Sequence, residues 1–178
     1  MVKQVINGVC ALTLLVVASC ATLSREECQT ADWRQIGIID GSKGREYHYI
    51  ANHNKSCSEY GIKPDFEKYN QGRAEGLKLF CTREKGYKEG ENNGSNGSAC
   101  PSDLKDRFQE GYQVGIQVFA FKEKIRKIDY DLDKYRDQKK ETTDPEKLDL
   151  LNTLINKLDR ERDELDDIIL EIKSKNGF

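Results

Sequence analysis

Long apolar runs, an excess of charge of one sign and a recognisable catalytic signature are all missing from this chain. Its most apolar stretch, Val9 to Ala18, is preceded by Asn7 and Gly8 and falls well short of the roughly 20 residues of a transmembrane helix. The 29 basic and 31 acidic residues nearly cancel to a net charge of −2, so bulk charge favours neither nucleic acid nor an anionic lipid surface. No G-x-S-x-G, no H-E-x-x-H and no phosphate loop occurs. The Gly90 to Gly97 segment lacks the lysine and following helix that a phosphate loop requires. These absences remove the motif-bearing hydrolases, zinc proteases and nucleotide-binding proteins from consideration.

What is present begins at the N-terminus. A basic residue, Lys3, precedes the apolar stretch, which ends in Val17-Ala18-Ser19-Cys20. Small residues directly before a cysteine form a bacterial lipobox, so residues 1–19 read as a lipoprotein signal peptide and Cys20 as the acylated first residue of the mature chain. Plain secretion and an uncleaved anchor are the competing readings, and neither calls for a cysteine at that position. Ala21, where an aspartate would favour inner-membrane retention, points to the outer membrane. Loss of Lys3 with the signal would take the net charge to −3.

The mature sequence divides by composition. Residues 122–178 hold 14 Lys/Arg and 16 Asp/Glu, no cysteine, no tryptophan and a single glycine, Gly177. Residues 20–121 carry both histidines, Trp33 and most of the glycines. After Cys10 leaves with the signal and Cys20 takes lipid, Cys28, Cys57, Cys81 and Cys100 remain. An even count in an exported, glycine-rich segment predicts two disulfides. Three pairings are possible, and the shortest loops join Cys28 to Cys57 and Cys81 to Cys100. A zinc site on His48, His53 and Cys57 is the alternative, but its x4 and x3 spacing is not that of structural zinc sites, and the expectation is no metal and no cofactor.

Glycine spacing shows an internal repeat. Tyr69-x-x-Gly72-x-x-x-Gly76-Leu77-x-x-Phe80 aligns position for position with Phe108-x-x-Gly111-x-x-x-Gly115-Ile116-x-x-Phe119, and Trp33-x-x-x-Gly37-x-x-x-Gly41 is a looser third copy. Glycines four apart share one helical face and admit a second backbone, while each costs about 1 kcal/mol relative to alanine, so close helix packing must offset them. Arg73, Glu75, Lys78 and Gln113 exclude a bilayer for these helices. Gly72, Gly76, Gly111 and Gly115 are therefore read as packing positions, with a backbone-lined ligand groove as the alternative.

Trp33, Gly37, Asp40-Gly41, Gly44, His53-x-x-x-Cys57, the Tyr69 to Cys81 run, Gly86-Tyr87 and Cys100-Pro101 together resemble a family of small bacterial envelope lipoproteins known as domain of unknown function 2799. The resemblance covers about residues 20–121 and departs at Glu91 to Ser98, where a shorter turn is expected. It implies export and lipidation and supplies no reaction. Asp40, His48, His53, Asp65 and Glu75 are the groups from which an acid and a base could be drawn, yet no spacing joins them, and the expectation is a non-enzyme.

The C-terminal third reads as helix. Val114, Val118, Phe121, Ile125, Ile128, Leu132 and Tyr135 recur at steps of four and three, and a second stripe runs through Leu148, Leu151, Ile155, Leu158, Arg162, Leu165, Ile169 and Ile172. Between them, Thr143 or Asp144 can cap, Pro145 suits a first helical turn and Glu146 would complete a Thr-x-x-Glu capping box. The expected architecture is mainly α: a disulfide-stapled helical domain over residues 20–121, then an antiparallel helical hairpin or coiled coil over 122–178. The expected role is a lipid-anchored, non-catalytic envelope scaffold, tied to the membrane through Cys20 and able to self-associate or dock a protein through 122–178, with no nucleic acid. The alternative is a cell-wall glycan-binding protein or hydrolase acting through the glycine-rich domain.

Overall fold

The computed structural model describes residues 22–178; the segment expected to be a signal peptide, and Cys20, lie outside them. Seven α-helices follow in order: α1 (Arg25–Gln29), α2 (Trp33–Ser42), α3 (Ile50–Ser58, entered through a 3-10 turn at Tyr47–Tyr49), α4 (Phe66–Phe80), α5 (Arg83–Glu91), α6 (Ser102–Glu141) and α7 (Pro145–Lys175). Short polar side chains start most of them. Ser24 forms a capping box with Glu27, while Asp32, Asp65 and Thr82 each accept an amide from the first turn of α2, α4 and α5. Among the described residues no helix is long and apolar enough to cross a membrane.

The glycines explain how α2 pairs with α4 and α5 with α6. A Cβ on Gly37 would fall 2.8 Å from the Arg73 amide nitrogen and closer still to the Tyr69 carbonyl, and one on Gly41 would meet the Arg73 carbonyl and the Leu77 amide. Gly72 and Gly76 answer from α4, against the carbonyls of Arg34 and Ile38. Contacts that advance in step along both chains mean that α2 and α4 run parallel. The second pair repeats the device. Gly86 and Gly90 of α5 lie on the Phe108 and Tyr112 carbonyls, and Gly111 and Gly115 of α6 on those of Arg83 and Tyr87. Such spacing permits Cα–H to carbonyl contacts that side chains would block.

A parallel pair needs a return path along the helix. In the first pair residues 43–65 supply it and include α3, which Cys57 ties back to Cys28 of α1. In the second pair residues 92–101 make the return as an extended loop, ample for a nine-residue α5 of about 13 Å, and Cys81–Cys100 closes it at the C-terminal end of α4. The residues that depart from the shorter expected turn form this path. Asn93 (φ 51°) and Gly97 (φ 75°) take the left-handed conformation within it, and Gly97 tucks under the Phe108 ring, where a side chain has no room.

Three apolar clusters follow from this frame. Cys28, Trp33, Ile50, Cys57 and Tyr69 fill the first, and Leu77, Phe80, Cys81, Ala99, Cys100 and Phe108 the second, where the Phe80 and Phe108 rings stack with centroids 5.3 Å apart. The third joins Tyr87, Val114 and Val118 to Ile169 of α7. Helix α6 runs unbroken past residue 121, and α7 folds back antiparallel after a three-residue turn, with Leu132, Ile128 and Leu151 buried in the seam and Arg136 reaching Asp159 across it at 3.0 Å. The turn differs in one detail from the capping box expected of Thr143 and Glu146. Asp144 is the cap, accepting the Glu146 amide at 3.0 Å, because Pro145 occupies the first helical position and Asp144 precedes it.

Candidate functional site

The most buried polar side chains in the described residues meet between α2, α3 and α4. Asp40 sits in the last turn of α2, next to packing glycine Gly41, and is carried into the interior by the close approach of α4. His53 comes from the middle of α3, which the Cys28–Cys57 disulfide holds in place. Tyr69 comes from the first turn of α4 and is fully buried.

These three groups are hydrogen-bonded through one oxygen. Asp40 Oδ2 lies 2.7 Å from His53 Nε2 and accepts the Tyr69 hydroxyl at 2.9 Å. The other imidazole nitrogen, Nδ1, is 2.9 Å from Thr22 Oγ1, and Thr22 in turn is bound by Ser56, whose Oγ accepts the Thr22 amide at 3.0 Å. Burial, reinforced by the bond to the Asp40 carboxylate, raises the Tyr69 phenol well above its usual pKa, so it stays a donor. With the carboxylate accepting twice, Nε2 carries the proton on that side of the ring. Nδ1 then exchanges a hydrogen bond with a threonine hydroxyl. A carboxylate, an imidazole and a hydroxyl in series is the order that activates a nucleophile, and here it borders a cavity of about 330 Å³ lined in part by Thr22, Asp40, His53 and Tyr49.

Of the acid–base candidates named from sequence, Asp40 and His53 are brought together and the others are not. His48 is exposed on the 3-10 turn. Asp65 caps α4 through the Lys68 amide, and Glu75 pairs with Arg34 on the surface at 2.6 Å. The zinc alternative is corrected: Cys57 is disulfide-bonded and fully buried, and its sulfur is not free to bind a metal beside His48 and His53. Among the described residues no three metal-ligating side chains gather. The packing glycines Gly72, Gly76, Gly111 and Gly115 face neighbouring backbone, which leaves no groove between the paired helices for a ligand. Cys20 lies outside the described residues.

Two features went unread in the sequence. Gly86-x-x-x-Gly90 is a fourth copy of the repeat, overlooked because Arg83 stands where the other copies carry an aromatic residue three or four positions earlier. Tyr69, which opens one copy of the repeat, takes its second role only through its hydroxyl bond to Asp40.

A second concavity, about 750 Å³, opens between the end of α5 and helices α6 and α7. Glu91 lies in it with Lys122 at 2.8 Å and Lys173 at 3.4 Å. Burial opposes ionisation of Glu91, but the Lys122 hydrogen bond and the two lysine charges outweigh it and hold the carboxyl below its usual range. Next to it the C-terminus closes over α5: Phe178 stacks on Tyr87 with centroids 4.2 Å apart, and Arg83 lies over the Phe178 ring and donates to the Asn176 carbonyl at 2.6 Å.

The paired glycines, the Asp40–His53–Tyr69 core of the polar network and three of the four disulfide cysteines fall together in one segment. Residues 32–117 match the family model DUF2799, described as a protein of unknown function. The DUF2799 segment takes in both glycine-packed helix pairs, with Asp40, His53 and Tyr69, and stops inside α6 before the hairpin. Thr22 and Cys28 precede it. No curated protein and no solved structure matches the chain.

Proposed function

We propose that this chain is a lipid-anchored protein of the bacterial cell envelope, held at the outer membrane through Cys20, with a non-catalytic scaffold or docking role. The observation that carries the reading is the Val17-Ala18-Ser19-Cys20 lipobox, which ends two residues before Thr22, the point where the chain is bound into the fold. The α6–α7 hairpin supplies the docking element. It presents Tyr130, Leu150 and Leu170 to solvent, apolar side chains that a self-association or protein contact would cover.

Cys20→Ser is the test. It should leave an uncleaved or soluble precursor in place of a membrane-fractionated, acylated protein, because stable attachment takes more than one acyl chain on that residue. Unchanged membrane fractionation and mature mass would remove the proposal. Docking is tested by Leu150→Glu with Leu170→Glu, which should abolish self-association or capture of a crosslinked partner in the source cell while helicity stays intact.

A hydrolytic role on cell-wall material is the second reading, favoured by the Thr22–His53–Asp40 series beside its cavity. Against it, His53 and Asp40 are almost closed to solvent and both imidazole nitrogens are engaged within the protein. Hydrolysis of peptidoglycan fragments by the wild type that disappears in Thr22→Val would favour this reading over the scaffold.

A further inference from the structure

The polar network fixes more than three side chains: it fixes where the chain leaves the domain. Thr22 is held at its amide by Ser56 and at its hydroxyl by His53, which Asp40 and Tyr69 orient from behind. Cys20 is only two residues away. Two residues of fully extended chain reach at most about 7 Å, comparable with the thickness of one headgroup layer. A lipid carried on Cys20 therefore enters the bilayer beside Thr22, with no linker to separate the domain from the surface.

The surface around that exit has the chemistry of a bilayer interface. Ile36, Ile39 and Lys43 of α2 line the same cavity as Thr22, and Ile39 is 43 % exposed. Lys43 and, in the segment that follows α2, Arg45 are exposed cations, Arg45 stacking over the cavity-lining Tyr49 at 4.5 Å, and Tyr47 two residues on is 64 % exposed. Aliphatic side chains that enter the acyl boundary, a tyrosine at headgroup level and basic groups toward lipid phosphates form the usual combination of an interfacial contact. Both acids that line the cavity are engaged within the protein, Glu27 by the Ser24 amide at 2.7 Å and Asp40 by His53 and Tyr69.

We infer that the Thr22–His53–Asp40 network is a clasp that holds the lipid tether against the domain, so that the face formed by Ile39, Lys43, Arg45 and Tyr47 lies on the membrane lipid. The inference rests on acylation of Cys20 as proposed above. The network is a positioning device here, and the occupant of the face is the headgroup layer of the bilayer that carries the anchor.

The test uses full-length protein processed in a bacterial host, its acyl mass measured first, then reconstituted into phosphatidylethanolamine/phosphatidylglycerol vesicles containing brominated lipid. A fluorophore is attached at Ile39→Cys, at Tyr47→Cys or, on the hairpin, at Leu150→Cys. Brominated lipid should quench the first two at least threefold more than the third. Thr22→Val with Ser56→Ala, which leaves the acyl mass unchanged, should shrink that difference to less than twofold by freeing the tether. Equal quenching at all three positions in fully acylated protein would overturn the orientation alone, and an undiminished difference after the clasp substitutions would overturn the clasp. Protein lacking acyl mass would instead overturn the lipidation on which both depend.

Discussion

The two glycine-packed helix pairs share a backbone solution and differ in what covers it. In α2/α4 and in α5/α6 alike, four glycines set two helices in parallel with their carbonyls against each other's Cα atoms. Over the first pair lie α1 and α3, stapled by Cys28–Cys57, with the Asp40–His53–Tyr69 network beneath. Over the second lies the far end of the chain, with Ile169, Ile172 and Phe178 of the α7 end on Tyr87, Val114 and Val118. Close packing by glycine leaves little side-chain volume between the helices, so each pair takes its apolar cover from elsewhere. The first borrows the α1 and α3 segment bound by Cys28–Cys57, and the second adds the hairpin to its own Cys81–Cys100 loop.

The comparison breaks most severely at the glycines. Gly72→Val and Gly111→Val force a branched side chain into the Arg34 and Arg83 carbonyls, and each should cost more than about 4 kcal/mol, the range reserved for severe packing defects. Chemical denaturation followed by far-ultraviolet circular dichroism should find both largely unfolded at 25 °C; a two-state transition near that of wild type in either would mean that its pair can separate without loss.

Covering the second pair by α7 predicts an asymmetry within one helix. Ile169→Ala should destabilise by about 2 to 4 kcal/mol and loosen the packing around Tyr87, since its side chain is shared with α5 and α6. Leu151→Ala, in the distal seam, should cost a similar amount yet leave amide exchange in α2 to α5 unaltered. Exchange that accelerates equally in α5 for both variants would show the hairpin and the helix pair to be one cooperative unit.

Reduction sharpens the contrast from the other side. Each crosslink typically contributes about 2 to 4 kcal/mol, so dithiothreitol should lower the melting temperature. Cys28, Cys57, Cys81 and Cys100 should not titrate as free thiols beforehand. Protection in α1 and α3 should collapse first, because they are held together by the Cys28–Cys57 bond across a sequence separation of 29. Loss confined to α5 and α6 would contradict the assignment of covers.

Smaller effects come from charge. Glu91 has a folded-state pKa below its unfolded value, so its contribution is present above about pH 4.5 and is lost as pH falls through the folded value. Glu91→Gln should therefore flatten the acid limb of stability between about pH 5 and 3, and an identical limb in wild type and variant would mean that the Lys122 and Lys173 contacts carry no net weight. Smallest is Arg162→Leu. Its guanidinium is held by Asp163 at 2.9 Å and the residue interrupts an apolar stripe, so the substitution should stabilise the hairpin by less than about 1 kcal/mol or promote higher oligomers in sedimentation.

Which parts of this were readable in advance follows from the range of the interactions involved. The stripes from Val114 to Tyr135 and from Leu148 to Ile172 are local periodicities, and the hairpin and its reversal at Asp144-Pro145 are legible from them. The glycine copies at 72/76 and 111/115 were legible as close-packing faces. That each faces a partner helix in parallel, and that Gly86-x-x-x-Gly90 is one of those partners, was not, because the spacing of glycines on one helix carries no direction for the other.

The chain order of small, charged and apolar residues was enough to specify helices, caps, a disulfide-bearing glycine-rich region and a charged hairpin, since capping and amphipathic periodicity act within a few residues. Assembly of the polar network was a matter of folding. Asp40 and His53 are 13 residues apart, Asp40 and Tyr69 are 29 apart, and Thr22 and His53 are 31 apart. No short-range pattern links such positions. They meet because glycine contact draws α2 onto α4 and a disulfide brings α3 over both, and burial then requires each polar group placed there to find another.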